Sequence, residues 1–178
     1  MGANDKEINK ILDDLPESEQ NVQIKFGDIY PTYYAPVLTQ GKHPILCKWG
    51  FNRFDGKGVM INARAETVTD KISFRKSFLE RRCLIPASGF YEWDSNKRKY
   101  YFNRSDGKLL YLGGFYRNED GIDKFIILTK QSTPPVEKYH NRIPIIVGDD
   151  IRDYYLNDTE FARSFIMTDN QIKLKAHS

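Results

Sequence analysis

The stretch Leu109-Leu110-Tyr111-Leu112-Gly113-Gly114-Phe115, then Asn118-Glu119-Asp120-Gly121, then Phe125-Ile126-Ile127-Leu128-Thr129, reads as two apolar strands around a turn. Working outward from it, segments 44–51, 59–63, 84–93 and 99–102 have the same strand-like text. Phe54-Asp55-Gly56-Lys57-Gly58 and Ser105-Asp106-Gly107 are further turn sequences. Connections of this kind predict hairpins and a mostly antiparallel sheet. Ile8, Ile11, Leu12 and Leu15 recur at helical spacing before Pro16, which predicts an N-terminal amphipathic helix. Two short helices are expected at 73–81, with Phe74, Phe78 and Leu79 on one face, and at 149–156, with Ile151, Tyr154 and Tyr155 inward. Ser73 and Asp149 or Asp150 are their expected N-caps. Without repeats or a linker, residues 1–178 read as one α+β domain, its strands curled towards a barrel.

The 178 residues are 40% hydrophobic, enough for a real core, and no run reaches the roughly 18 apolar residues of a membrane helix. The start, Met1-Gly2-Ala3-Asn4-Asp5-Lys6, lacks the apolar stretch of a signal peptide, so a cytosolic location is expected. Twenty-seven Lys plus Arg against 24 Asp plus Glu give a net charge of +3, which permits an anionic partner without demanding one. The two cysteines, Cys47 and Cys83, form no CxxC and have no His at metal spacing. Neither a disulfide framework nor a metal site is expected, and no cofactor is.

Four segments place polar groups in apolar text. In 59–66, Asn62 and Arg64 lie two apart on a strand and share a face, with Ala63 and Ala65 on the other. They could hold a phosphate and a sugar, or Arg64 could pair with Glu66 on a solvated face. In Gly89-Phe90-Tyr91-Glu92-Trp93, a carboxylate between two aromatics would lose hydration and rise in pKa, unless Glu92 points outward while Tyr91 and Trp93 point inward. Tyr139-His140-Asn141-Arg142-Ile143-Pro144 sets a histidine before an apolar strand, a position suited to proton transfer or to a structural role. Trp49, between Lys48 and Gly50, reads as a core plug or as a stacking face for a base. Cys83 reads as a buried small hydrophobe.

Taken together, KWGF (48–51), NARAET (62–67), SFR (73–75), RRCLIPASGFYEW (81–93), GGFY (113–116), ILTKQ (127–131) and YHNRIPIIV (139–147) closely resemble the SOS response-associated peptidase (SRAP) family, the abasic site processing proteins. The resemblance runs from about Pro31 to about Tyr155. It implies a compact α+β fold around a strongly curved antiparallel sheet. It also implies a monomeric DNA-damage protein that recognises abasic sites in single-stranded DNA and becomes covalently joined to them, associated with the nucleoid in a bacterium. The family name adds removal of its own N-terminal peptide. Members use an N-terminal Cys exposed after Met removal: its α-amine, with a pKa of about 8, attacks the aldehyde of the opened sugar, and its thiol closes a thiazolidine.

Carried over position by position, the resemblance implies that Asn62 lines the site and bonds the linked residue or sugar. Glu92 would move protons in imine formation, ring opening and lyase-type strand cleavage. His140 would act as acid or base on the sugar oxygen. Arg64, Arg75 and Arg142 become candidate phosphate contacts, Trp49 a stacking or wedge residue, and Thr129 a group that helps order the site. The chain departs from the family at its start, where Gly2 stands in the position of the nucleophilic Cys. Polar Asn4-Asp5-Lys6-Glu7 leads straight into the Ile8 helix, in place of the expected strand. An altered or missing N-terminal segment and weak or lost linkage are therefore expected. The Pro31–Pro36 loop is also one residue short of the family pattern. The competing reading is a non-covalent single-stranded DNA binding module.

Overall fold

The computed structural model describes residues 3–20, 27–41, 43–169 and 172–178. In chain order the first half contains α1 (Ala3–Asp13), α2 (Glu17–Gln20), β1 (Tyr34–Val37), β2 (Ile45–Trp49), β3 (Phe51–Asn52), β4 (Val59–Met60), β5 (Asn62–Arg64), α3 (Ile72–Glu80) and β6 (Arg82–Ala87). The second half contains β7 (Phe90–Trp93), β8 (Lys99–Arg104), β9 (Leu110–Glu119), β10 (Ile122–Gln131), β11 (Arg142–Pro144), α4 (Arg152–Asn157), α5 (Thr159–Phe165) and β12 (Leu174–His177).

The apolar pair that opens the sequence reading is the centre of the fold. β9 and β10 meet through Asp120 and Gly121, both at positive φ (54° and 80°), as a tight two-residue hairpin requires. Gly114 lets the two strands approach: a Cβ there would stand 2.4 Å from the Ile126 carbonyl oxygen. The main sheet runs β1-β2-β10-β9-β6, and a bridge between Leu38 and Leu84 brings the end of β1 back to β6. The result is a nearly closed, barrel-like and mostly antiparallel sheet. β10 also carries β5 in parallel, with Ile127 opposite Asn62 and Thr129 opposite Arg64, and β11 antiparallel, with Thr129 opposite Pro144. One strand therefore serves as the spine for segments far apart in sequence. A second sheet runs β12-β8-β7.

Two apolar layers cover the main sheet. One holds Phe51, Phe74, Phe78, Phe115 and Tyr155, with Ile8 and Ile11 of α1 packed on it. The other holds Val37, Cys47, Cys83, Phe102, Phe125 and Ile143. Both cysteines are fully buried, as the sequence suggested for Cys83, and burial pushes both thiols up. Arg82 is also fully buried. Its guanidinium donates to the carbonyls of Phe78 (3.0 Å), Leu79 (2.7 Å), Tyr155 (2.7 Å) and Leu156 (3.0 Å), and to Thr159 Oγ1 (3.1 Å). These carbonyls lie towards the C-terminal ends of α3 and α4, where helix dipoles favour a cation.

Several expectations need correction. Segment 84–93 is two strands in different sheets, because Ser88 and Gly89 turn the chain; a Cβ on Gly89 would lie 2.4 Å from the Phe102 carbonyl oxygen. Ser105-Asp106-Gly107 joins the two sheets and makes no hairpin. Segment 44–51 breaks at Gly50, which has φ of 112°. Ser73 lies inside α3, whose N-cap is Lys71, and Asp149 and Asp150 lie in a 3-10 turn before α4. The side-chain cap is instead on α5, where Asp158 accepts from the Phe161 N–H at 2.9 Å. The sequence reading had no α2, β1, α5 or β12.

Candidate functional site

Glu92 sits in β7 opposite Tyr100 of β8, and opposed residues on paired strands face the same side. The Tyr100 ring packs on Tyr139 with centroids 4.3 Å apart, and Tyr139 also meets Phe102 edge-on at 5.6 Å. The next residue, His140, thereby arrives with Nδ1 3.3 Å from Glu92 Oε2. Burial raises Glu92 above the usual carboxylate range, and positive charge on His140 pulls it partly back. His140 Nδ1 also lies 3.1 Å from the Arg142 carbonyl oxygen and 3.3 Å from the Arg142 N–H. With Nδ1 protonated, Glu92 and the carbonyl are acceptors; with it bare, the Arg142 N–H is the donor. Nδ1 therefore has a partner in either tautomer.

The desolvation of Glu92 comes from a different source than sequence adjacency suggests. Strand alternation puts Tyr91 and Trp93 on the opposite face of β7, Trp93 half-exposed, while Glu92 shares its face with buried Phe90. The alternative of inward Tyr91 and Trp93 is thus reversed. Tyr100 and Tyr139 supply the aromatic surroundings, and neither could be assigned from the local sequence.

On the neighbouring side of the spine, β5 exposes Asn62 and Arg64 and buries Ala63, the alternation expected. Glu66, just beyond, pairs with Arg142: Nη1 donates at 2.7 Å and Nη2 at 2.8 Å. Arg142 Nη2 also donates to the Thr129 carbonyl at 2.6 Å and lies 3.3 Å from Thr129 Oγ1. This fork holds the Glu66 carboxyl down at about 2. Glu66 therefore takes Arg142 where the sequence offered Arg64 as its partner. Buried Thr129 lies 3.5 Å through Oγ1 from the Ala63 carbonyl oxygen. Thr129 and Arg142 thus tie β5, β10 and β11 together beside the Glu92–His140 pair.

Trp49 stacks on Phe125 (6.2 Å, 7° between planes), and its indole N–H donates to the Ile61 carbonyl at 3.1 Å, one residue before Asn62. Arg75 is exposed on α3 and borders a small depression with Thr69, Asp70, Leu79 and Arg163, none of which contributes to the Glu92–His140 contact. Gly2 lies outside the described residues. Among the described residues, no group of three or more His, Cys, Asp or Glu side chains could hold a metal ion.

A family model described as SOS response associated peptidase (SRAP) matches residues 1–177. The chain is 31% identical over 121 residues to Abasic site processing protein YobE of Bacillus subtilis, a match covering 61% of this chain and 55% of that protein. It is 25% identical over 116 residues to Abasic site processing protein HMCES of Xenopus tropicalis, covering 50% and 35%. The chain spans about half the length of the first of these curated relatives. Among solved structures, a crystal structure of a Bacteroides thetaiotaomicron protein matches with a TM-score of 0.75 at 22% identity, covering 96% of this chain and 87% of that one. One from Bordetella bronchiseptica gives 0.74 at 24% identity, covering 88% of each. Both share the fold.

Proposed function

The chain belongs to the SOS response-associated peptidase family, and from that premise we propose that it captures abasic sites in single-stranded DNA, with Glu92 and His140 moving the protons. The observation that supports this most directly is the 3.3 Å contact between a desolvated carboxyl and an imidazole. Capture begins when an amine adds to the aldehyde carbon of the opened sugar, while a proton passes from nitrogen to oxygen. The carbinolamine then loses its hydroxyl as water, which needs a proton donor at that oxygen, and the imine forms. A carboxyl raised by burial still carries its proton at a pH where an exposed one has lost it, so Glu92 suits that donation. His140 is placed to return the proton to Glu92 through Nδ1. The same pair, acting as base, could remove a proton beside the imine carbon and expel the 3′-phosphate, the lyase-type outcome.

Asn62, exposed on β5, would bond the sugar or the linked residue. Arg64 and Arg75, whose side chains are free among the described residues, would meet phosphates, and Trp49 would flank the lesion from its stacked position. We assign Arg142 and Thr129 to holding the His140 loop, since the guanidinium is already committed to Glu66 and the Thr129 carbonyl.

The test uses a single strand with one abasic site, trapped with borohydride. Glu92→Gln and His140→Ala should each slow trapping by about 10²-fold or more. A Gly2→Cys form, which offers amine and thiol on one residue, should give an adduct that survives without borohydride. Unchanged rates in both site variants would overturn the proton-transfer roles. Equal gel shifts with intact and abasic strands, and no trapping, would favour a non-covalent DNA binder.

A further inference from the structure

The face of β7, β8 and β12 opposite Glu92 has no part in the chemistry above, yet it is built from aromatic rings and cations. Tyr91, Tyr101 and His177 form one row across the three strands, because Tyr91 pairs with Tyr101 and Tyr101 with His177. The Tyr91 and Tyr101 centroids are 5.0 Å apart, and those of Tyr101 and His177 6.2 Å. The neighbouring row pairs Trp93 with Lys99, and Lys175 lies opposite Asn103 on the other side. The Tyr101 ring lies directly over Gly89, where a Cβ would stand 2.5 Å from its Cζ, so the absence of a side chain there lets the ring lie flat. His177 is held by Asn103, with Nε2 3.0 Å from Oδ1.

Lys99 occupies the face of Tyr91, 3.6 Å from the ring centroid, and reaches Trp93 at 6.0 Å. Asp28 accepts from the Tyr91 hydroxyl at 3.2 Å and stands 3.6 Å from Lys99 Nζ, which steadies the ammonium and offsets part of its charge. Lys175 on β12, with Lys97 and Arg98 in the β7–β8 turn, adds exposed cations at this sheet, while the Asp94 carboxylate accepts from the backbone N–H groups of Asn96 and Arg98 at 2.8 and 2.9 Å. The local balance therefore favours an anion. Side chains two apart along a strand are spaced about 7 Å, which suits one unstacked nucleotide per row.

We propose that this outer face is a second strand-binding surface, on which an extended single-stranded nucleic acid stacks a base on Tyr101 and His177 and places phosphates on Lys99 and Lys175. This rests on the capture reading for its ligand class and extends it: Trp93, at the edge of the same sheet, leads from the lesion side to the platform. The lesion would sit on the inner face of β7 while intact flanking nucleotides run over the outer one. Stacking and charge, with no base-edge contacts, make the platform indifferent to sequence.

The test titrates the full chain with a fluorescein-labelled 20-nucleotide oligothymidylate, free of abasic sites, at several salt concentrations. Lys99→Ala with Lys175→Ala should flatten the dependence of log K on log salt by about 1.4, two contacts at about 0.7 each. His177→Ala with Tyr101→Leu should weaken binding about tenfold with the slope unchanged. His177→Ala alone, at an exposed position, serves if the double variant melts early. Unaltered slope and affinity in correctly folded variants would overturn the platform, even with abasic trapping intact. Loss of trapping in wild type, with the oligothymidylate effects as expected, would count against capture and leave the platform standing.

Discussion

Arg142 closes a two-pronged fork on Glu66, at 2.7 and 2.8 Å, while its Nη2 holds the Thr129 carbonyl at 2.6 Å. The fork spans the end of the spine strand, from β11 to the turn after β5, and His140 lies two residues before the arginine. The side chain expected from the sequence to contact phosphate is thus committed to Glu66 and to the Thr129 carbonyl beside the His140 loop.

Glu66→Gln should therefore slow abasic trapping about tenfold while lowering stability by only about 0.5–1 kcal/mol, the range for a partly exposed pair. Because Arg142 holds the Glu66 carboxyl at about 2 when folded, against about 4.3 in an unfolded chain, its contribution is complete above that higher value. It fades as the pH falls from there through about 2. Melting curves of wild type should approach those of Glu66→Gln across that acid window, and parallel curves would overturn this pairing.

Glu92 has the opposite sign. Burial raises its carboxyl in the folded state, so the folded chain binds that proton more tightly than the unfolded one. The group favours folding at acid pH and costs stability as the pH rises from about 4.3 through its folded value. Glu92→Gln should remove this slope and leave the protein as stable as wild type, or slightly more so, above that window, while trapping collapses. Thermal melts from pH 4 to 8 beside trapping rates would show the divergence; a variant that loses both equally would make Glu92 structural.

Tyr139→Ala should displace His140 and reduce trapping about tenfold to a hundredfold, whereas Tyr139→Phe, which keeps the ring against Tyr100, should stay within about twofold. The informative readout is rate at saturating DNA against affinity for DNA. A positioning role lowers the first and spares the second.

Arg82→Met should destabilise the fold by about 2 kcal/mol or more, since the Phe78 and Tyr155 carbonyls lose the guanidinium in a buried site, while Leu79 and Leu156 keep Thr159 Oγ1 and Gln40 as donors. Arg82→Lys should recover only part of this, because three donors cannot reach five acceptors. Urea unfolding measures both. A loss under about 1 kcal/mol for Arg82→Met would mean that water replaces the guanidinium.

The local rules that could be read directly from the sequence concern faces and turns. Alternation in β5 put Asn62 and Arg64 outward and Ala63 inward, and Asp120-Gly121 marked the central hairpin, because both depend on neighbours in sequence alone. The motifs were equally legible, and the family they point to is the one the chain belongs to. The helix caps were not, since Ser73 and Asp158 differ only in where the surrounding packing starts the helix.

Tertiary structure decided which residues meet. Sequence adjacency set Glu92 beside Tyr91 and Trp93, but the break at Ser88-Gly89 sends β7 into a second sheet, and its register with β8 gives Glu92 the company of Tyr100, Tyr139 and His140. Glu66 chose Arg142, 76 positions away, over Arg64, two away, because the chain leaves β5 at Arg64 for a 3-10 turn over Ala65–Thr67 and Glu66 there meets the end of the spine strand, where β11 brings Arg142. Chemical identity is written residue by residue. Desolvation and pairing depend on long-range strand register, which a linear reading cannot supply.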